Sequence, residues 1–217
     1  MSRKVKITVV AIMTLAINMF LVHGQAEGSE KALFDGKTFK GWEGDTTNMW
    51  RIENGTLLGG SLEHEVPHND FLCTEKSYSD FVLTLKIKLT GDEGFINSGI
   101  QFRSERMKEP AHEMKGYQAD WGEGYWASLY DESRRNKTLM APDAAQILQW
   151  IKKNDWNDYE IRAEDRHIRL YINGHKTVDY HEDDADIPQE GVIGIQIHGG
   201  GKALVAIKDI FITELKE

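Results

Sequence analysis

The feature of this sequence that most constrains its fold is an alternation of apolar and other residues with a period of two. The clearest case is the segment 80–90, DFVLTLKIKLT, in which every second residue is strongly apolar: Phe81, Leu83, Leu85, Ile87 and Leu89. Successive side chains of a β-strand point to opposite faces of a sheet, so this pattern predicts a strand with one buried and one solvated face. The segments 158–172 and 191–214 repeat the pattern.

Turn signals separate these strand-like runs. Asn54-Gly55 and Asn173-Gly174 each lie between two such runs, as in a two-residue hairpin turn. About a dozen runs follow one another at a spacing of roughly 8–12 residues, which is typical of a sandwich or barrel. The only helical stretch is short, around PDAAQI at residues 142–147, and no Pro-, Gly- or Ser-rich linker divides the chain. The sequence therefore predicts one all-β domain.

The first 26 residues have the order of an export signal. Arg3, Lys4 and Lys6 precede a mostly apolar run over residues 7–22, and small residues follow at Gly24 and Ala26. The run is shorter than the roughly 20 residues that a membrane-spanning helix needs, and this order is typical of a cleavable signal peptide. We therefore expect a signal peptide at residues 1–24 and a single mature domain at 25–217. The protein is expected to be exported, either to the periplasm or into the medium.

Charge and cysteine content narrow the classes of function. Asp and Glu outnumber Lys and Arg by 35 to 26, for a net charge of −9. The chain thus lacks the basic footprint of a nucleic-acid-binding protein and is poorly matched to anionic membranes. Its one cysteine, Cys73, can form no internal disulfide and lies in an apolar run, so we expect a buried thiol without a catalytic role. Neither nucleic acid nor a membrane is expected as a stable partner, and the sequence leaves the oligomeric state open.

Two strings resemble catalytic motifs but fail in detail. HEVPH at residues 64–68 matches the zinc-protease pattern, but that site needs a helix, which Pro67 disfavours. HGGGK at residues 198–202 has Gln196 where a phosphate loop needs its first glycine and Ala203 where it needs Ser or Thr. An esterase would also need a G-x-S-x-G nucleophile elbow, which the sequence lacks. Both strings are therefore predicted to be loops or turns.

The functional signal is the placement of large polar side chains on three predicted strands. The segments INSGIQFRS, KGYQADWG and IGIQIHG each carry such side chains at alternate positions, opposite their apolar residues. Residues two apart share one face of a strand. A solvated sheet face usually carries Lys, Glu and Thr, whereas Gln, Asn, Arg, His and Trp are suited to binding sugars. If the three strands are neighbours, one polar cleft is lined by Arg103, Gln118, Asp120, Gln196 and His198.

Five longer segments, in order, carry a family resemblance: LFDGKTFKGW, NSGIQFRSE, MKGYQADWGEGYWASLYDESRRN, NDWNDYEIRAEDRHIRLYINGHKTVDY and GVIGIQIHGGGKALVAIKDIFITEL. Over residues 32–216 the chain resembles the bacterial exported family known as domain of unknown function 1080, or the 3-keto-disaccharide hydrolase (3-keto-glucoside 1,2-lyase/hydratase) domain. The resemblance implies a concanavalin A-like jelly-roll sandwich of two antiparallel sheets with a sugar site on the concave one. Gly116 departs from the pattern, since many members carry Glu there, and no proton-transfer role of that Glu carries over.

The activity that the resemblance implies is cleavage of a 3-keto glycoside. The ketone acidifies the C2 proton, a base removes it, and the C1–O bond breaks by β-elimination. Addition of water to the resulting glycal completes a net hydrolysis. Such a site needs a base, a donor for the C3 oxyanion and an acid for the departing oxygen. We expect Asp120 to be the base, Arg103 the oxyanion partner and His198 the acid.

Further side chains are expected to bind the substrate: Gln101, Gln118, Gln196, Trp121, Trp126, Tyr130 and Glu132. Within SLYDE, Tyr130, Asp131 and Glu132 are also reserve acid or base candidates. No metal ligand is assigned and no cofactor is predicted, although a divalent metal would be compatible with enolate chemistry.

Two alternatives stay open at this stage. A jelly roll of this kind can be a non-catalytic carbohydrate-binding module, because a fold does not settle a function. An ordinary glycosidase with two carboxylates is less favoured, since the chain has no E-x-D-x-E run. Turnover of a 3-keto glycoside, compared with the unoxidised sugar, distinguishes the three.

Overall fold

The computed structural model describes residues 28–215, so the expected signal peptide lies outside the described residues. Over this range the chain consists mainly of strands joined by turns and short loops. In chain order the elements are β1 (Lys31–Ala32), β2 (Trp42–Glu43), β3 (Trp50–Glu53), β4 (Thr56–Gly60), β5 (Asp70–Tyr78), β6 (Phe81–Gly94), β7 (Asn97–Arg106), β8 (Met114–Gly122), β9 (Leu129–Glu132), β10 (Lys137–Met140), α1 (Ala144–Trp150), β11 (Asn157–Glu164), β12 (His167–Ile172), β13 (His175–His181), β14 (Gly191–Ile197) and β15 (Gly201–Glu214).

The strands form two antiparallel sheets. One has the order β13-β12-β11-β6-β15-β4-β3, with β1 also paired to β15, and the other has the order β10-β9-β8-β7-β14-β5-β2. The chain passes from one sheet to the other repeatedly, for example between β6 and β7, between β10 and β11 and between β14 and β15. Apolar residues of both sheets share one core cluster. The arrangement is a jelly-roll sandwich, which confirms the all-β prediction.

Burial along β6 explains why this strand forms. The apolar residues at alternate positions, from Phe81 to Leu89, are buried, whereas the residues between them are only half-buried. Strands β7 and β8 differ, because nearly every residue of both is buried, including the polar ones. A sheet face that buries amides and carboxyls marks the place where a site can form.

The predicted turns and the short helix are confirmed. Asn54-Gly55 and Asn173-Gly174 join β3 to β4 and β12 to β13, each pair with positive φ at both residues, as a type I′ hairpin turn requires. Asp143 caps α1 by accepting hydrogen bonds from the Ala145 and Gln146 amides at 3.0 and 2.9 Å. Between residues 28 and 215 no helix is long and apolar enough to cross a membrane.

The two rejected motifs and Cys73 lie where the sequence predicts. HEVPH is part of the loop between β4 and β5, and the glycines of HGGGK lie at the turn between β14 and β15. Cys73 is fully buried in a small cluster with Phe71 and Met114. Burial raises the pKa of its thiol to about 12, so the residue is an inert part of the packing.

Candidate functional site

The seven-stranded sheet brings the predicted polar strands together. β14 pairs with β7 and β7 pairs with β8, so that Gln196 lies opposite Gly99 and Gly99 opposite Asp120. In the adjacent row, Gln101 lies opposite Gln118. The condition on which the predicted cleft depended, that these three strands are neighbours, is met.

A small polar cleft of about 130 Å³ opens on the face of this sheet that is turned away from the core. Strands β7, β8 and β9 contribute most of its lining, together with the turns that follow β6, β8 and β14. The lining residues are Phe95, Asn97, Gln118, Asp120, Tyr125, Tyr130, Glu132 and His198. Five of the predicted site residues therefore line one cleft: Asp120, His198, Gln118, Tyr130 and Glu132.

Asp120 is a buried carboxyl group held by defined donors. Its Oδ1 accepts hydrogen bonds from the Asn97 side chain at 2.9 Å and from the Trp121 backbone at 3.0 Å. Burial raises the pKa of Asp120 to about 7, and these hydrogen bonds oppose the rise. A carboxyl group with this pKa exchanges protons near neutral pH, as a general base must.

Glu132 is the second carboxyl group of the cleft with a raised pKa. Burial, and next the nearby charge of Glu113, raise the pKa of Glu132 to about 7. Tyr130, two residues earlier on the same face of β9, has its pKa raised by burial and then by the charge of Glu132, so its hydroxyl keeps its proton and can donate. The cleft thus combines two carboxyl groups that titrate near neutrality with a phenolic donor.

Asp131 lies between Tyr130 and Glu132 but faces the other way. Its carboxylate is fully buried and forms ion pairs with Arg134, at 2.7 Å, and with Arg135. Arg135 also binds Glu182 at 2.6 Å. Asp131 therefore does not belong to the cleft as a reserve acid or base. It anchors β9 and so fixes the two residues beside it.

His198 lies at the rim of the cleft with a defined tautomer. Its Nδ1 is 2.7 Å from the carbonyl oxygen of Gly199, and because a carbonyl only accepts, Nδ1 carries the proton. The ring packs edge-to-face on Phe95, with 4.6 Å between centroids. A neutral His198 therefore presents Nε2 as an acceptor, and it can act as an acid only in the doubly protonated form.

Two of the predicted sugar ligands, Gln101 and Gln196, lie on this sheet but are fully buried. The Gln101 amide donates to Oε1 of Gln118 at 2.9 Å and so orients a residue that does line the cleft. The Gln196 side chain has no hydrogen-bond partner among the described residues. Gln118 is the one glutamine of the three that lines the open cleft.

The structure does not place Arg103 in the cleft, which corrects the sequence-based prediction. A break in the register between Phe102 and Glu105 and a positive φ of 47° at Arg103 interrupt the alternation of β7. The guanidinium instead binds Asp80 Oδ1 at 2.7 Å and Gln189 Oε1 at 2.6 Å. With its donors used here, Arg103 cannot stabilise an oxyanion beside Asp120.

The prediction that Trp121 binds the substrate is also wrong, and Trp126 lies beside the cleft instead of inside it. Trp121 is 2% exposed and belongs to the core, where it packs on Trp126 and Tyr159, because it shares the inward face of β8 with Tyr117 and Ala119. Trp126 lines a separate apolar cavity that borders the cleft. Two further aromatic residues line the cleft itself, Phe95 and Tyr125, and they were missed because both lie in turns where alternation gives no signal.

The backbone geometry at Gly116 explains why a side chain does not fit at this position, where the resembled family often has Glu. Its φ is +150°, and a Cβ atom there would lie 2.2 Å from Oγ of Ser104. A larger residue would require Ser104 and the adjoining bulge of β7 to move.

No group of three or more His, Cys, Asp or Glu side chains within residues 28–215 could hold a metal ion.

A family model matches residues 29–213 of the chain, and it is described as the 3-keto-alpha-glucoside-1,2-lyase-like domain. The chain belongs to this family. No curated protein sequence matches the chain. Membership in the lyase-like family, together with the cleft, supports a carbohydrate-active function.

Solved structures share the fold of this lyase-like domain at low sequence identity. A candidate glycosyl hydrolase from Parabacteroides distasonis is 18% identical, with a TM-score of 0.64 over 87% of this chain and 94% of that one. The carbohydrate-binding module CBM66 from Bacillus subtilis is 17% identical, with a TM-score of 0.60 over 78% and 93%. The β-glucanase of Bacillus licheniformis is 9% identical, with a TM-score of 0.52 over 89% and 100%. These similarities confirm the jelly-roll fold.

Proposed function

We propose that the cleft cleaves 3-keto glycosides by removing the C2 proton and eliminating the C1 substituent, with hydration of the glycal completing a net hydrolysis. The observation that carries the proposal is the pair Asp120 and Glu132. Both carboxyl groups line one small cleft and both have a pKa raised to about 7. Two groups that exchange protons near neutral pH are what a base and an acid in one elimination require.

The surroundings of the two carboxyl groups suggest which is the base. Asp120 accepts hydrogen bonds from Asn97 and Trp121, which favour its ionised form. Glu132 lies near the charge of Glu113, which favours its protonated form. We therefore assign Asp120 as the base for the C2 proton and Glu132 as the acid for the departing oxygen.

Other cleft residues take the remaining roles. The C3 oxygen gains negative charge in the enolate and needs donors, which the Tyr130 hydroxyl and the Gln118 amide can supply in place of Arg103. With Nδ1 bound to the Gly199 carbonyl, Nε2 of His198 is the ring atom that can accept a hydrogen bond from a sugar hydroxyl. Phe95 and Tyr125 offer aromatic surface to a sugar ring at the rim.

The test is turnover of a 3-keto glucoside, followed through the absorbance of the glycal intermediate, with the unoxidised glucoside as a parallel substrate. Asp120→Asn keeps shape and hydrogen bonding but removes the base, so kcat/KM should fall by about 10²–10⁴-fold. Glu65→Gln, in the β4–β5 loop outside the cleft, is the control and should leave the rate unchanged. Wild-type turnover by Asp120→Asn would refute the assignment.

The same substrates separate the proposal from its alternatives. A glycosidase would hydrolyse the unoxidised glucoside, and a carbohydrate-binding module would bind a sugar without converting either substrate.

We further propose that the protein is exported, because a basic segment, an apolar run and small residues follow one another over residues 1–26. Mass spectrometry of extracellular or periplasmic protein should show a mature N-terminus near Gln25, and an intact Met1 in a membrane fraction would contradict this.

A further inference from the structure

An apolar cavity of about 390 Å³ opens beside the cleft. Tyr125 lines both the cleft and the cavity, so the two share a wall. The cavity is built from the turn after β8, the segment before α1 and α1 itself. Its apolar lining includes Tyr125, Trp126, Ala141, Pro142, Ile147 and Leu148.

Exposed apolar side chains concentrate around this pair of openings. Within residues 28–215 the four large hydrophobic residues with the most exposed surface are Leu62, Phe95, Tyr125 and Leu148, at 51%, 41%, 38% and 53%. Phe95 and Tyr125 line the cleft, and Tyr125 and Leu148 line the cavity. A concentration of exposed apolar surface next to a polar site indicates that a ligand covers it.

The helix α1 is what directs Leu148 to the cavity. Asp143 fixes the start of the helix, and Ile147 is 4% exposed and anchors it in the core. The next residue of a helix points about 100° away, so burying Ile147 turns Leu148 outward. The Leu148 side chain is thus held at the cavity wall and is not free to fold away.

The chemistry of the lining favours an apolar ligand over a second sugar. Two polar side chains of the lining are already engaged, since the Ser128 hydroxyl donates to the Tyr125 carbonyl at 2.9 Å and the Glu123 carboxylate accepts from Lys153 at 3.2 Å. A sugar in this cavity would place hydroxyl groups against Ala141, Pro142 and Leu148 without hydrogen-bond partners, which costs free energy. A flat apolar ring would replace water at the same surface with a gain.

We propose that this cavity is the aglycone subsite of the same active site, and that the preferred substrates carry an aromatic or similarly apolar aglycone instead of a second sugar. The inference rests on the proposed function, because the scissile C1–O bond would lie between the cleft and the cavity, beside Tyr125.

The test compares methyl, benzyl and disaccharide 3-keto glucosides with wild type, Leu148→Ser and Leu62→Ser. Methanol and benzyl alcohol are leaving groups of similar basicity. The ratio of kcat/KM for the benzyl and methyl substrates therefore reports binding of the ring and not bond breaking. Leu148→Ser should lower kcat/KM for the benzyl substrate by about tenfold and leave the other two within about twofold. Leu62→Ser, an equally exposed leucine in the β4–β5 loop, should change none of them.

The outcomes separate this inference from the proposed function. If Leu148→Ser folds normally by circular dichroism and affects all three substrates equally, or none, the aglycone subsite is refuted while the lyase activity stands. If wild type converts no 3-keto glucoside, the proposed function fails. Whether the cavity binds an apolar ring is then tested separately, by calorimetric titration of the protein with glucosides. Benzyl glucoside should bind wild type more tightly than methyl glucoside, and Leu148→Ser should abolish the difference; equal binding of both by wild type would overturn the proposal.

Discussion

The side-chain amide of Asn97 donates a hydrogen bond of 2.9 Å to Oδ1 of Asp120 in the cleft. Neighbouring strands produce this contact, because Asn97 begins β7 and Asp120 lies near the end of the antiparallel β8. Burial raises the pKa of Asp120 to about 7, and the Asn97 bond lowers it. The pair therefore sets how much of the proposed base is ionised at neutral pH.

The first prediction is a bell-shaped pH profile that depends on Asn97. The rate should fall below about pH 7 as Asp120 becomes protonated and above about pH 7 as Glu132 loses its proton. Because the two carboxyl groups interact, the midpoints of the two limbs describe the titration of the pair and not of either residue alone. Asn97→Ala removes a donor to the ionised carboxylate and should move the acidic limb upward by about 0.5–1 pH unit.

Asn48→Ala is the matched control for this profile. Asn48 donates to the carboxylate of Asp45 at 3.0 Å, but Asn48 is exposed, Asp45 is half-buried, and neither lines the cleft. Its replacement should leave both limbs in place. A downward shift of the acidic limb in Asn97→Ala, or no shift, would contradict the assignment of Asp120 as base.

The second prediction is that Asp120→Asn stabilises the fold at high pH. The pKa of Asp120 is about 7 in the folded state against 3.8 ordinarily, so its carboxyl group costs no stability below pH 3.8, and stability falls as the pH rises toward 7. At 1.36 kcal/mol per pH unit, the variant should be more stable by about 2–4 kcal/mol at pH 8. Urea denaturation should show this gain at pH 8 and its disappearance near pH 4; an equal gain at both would contradict it.

Much of the fold could be predicted because backbone geometry alone controls alternation. β6, β11 and β12 alternate as the sequence indicates, and the two Asn-Gly turns define the β3–β4 and β12–β13 hairpins. The pairing of β7, β8 and β14 could only be stated as a condition, because which strands become neighbours depends on long-range topology. That Gln118 and Asp120 share one face of β8 could be predicted from the sequence, because alternation along a strand assigns the faces of β8 as it does those of β6.

The third prediction tests the faces of β6. Leu85 is 4% exposed in the core, and the next residue, Lys86, lies on the outer face in an ion pair with Asp158. Leu85→Ala should lower the free energy of unfolding by about 2–5 kcal/mol, whereas Lys86→Ala should lower it by less than about 1 kcal/mol. Denaturant titration gives both values, and equal effects would show that the faces are misassigned.

Prediction from the sequence failed where the backbone leaves regular geometry or where turns supply the residues. The bulge of β7 turns Arg103 away from the face that alternation gives it. Tyr125 and Phe95 reach the cleft from turns, whose side-chain directions follow no period. The apolar cavity needs α1 to be placed against the turn after β8, and nothing in either segment by itself indicates that contact.

The last prediction concerns Arg103, which the structure makes a residue of the fold and not of the reaction. Its guanidinium is fully buried and donates four hydrogen bonds, to the carbonyl groups of Ser79 and Asp165 and to the side chains of Asp80 and Gln189. Lysine keeps the charge but cannot reproduce the planar fork.

Arg103→Lys should therefore lower the free energy of unfolding by about 2–4 kcal/mol. At a temperature where the variant remains folded, its kcat/KM for a 3-keto glucoside should stay within about threefold of wild type, since no atom of Arg103 lies beside Asp120. Arg51→Lys, at an exposed ion pair with Glu53, is the control and should change neither quantity. A variant of Arg103 with wild-type stability and a rate lowered a hundredfold would return this residue to the oxyanion role, because only a direct contact with the reacting atoms would separate the two effects in that way.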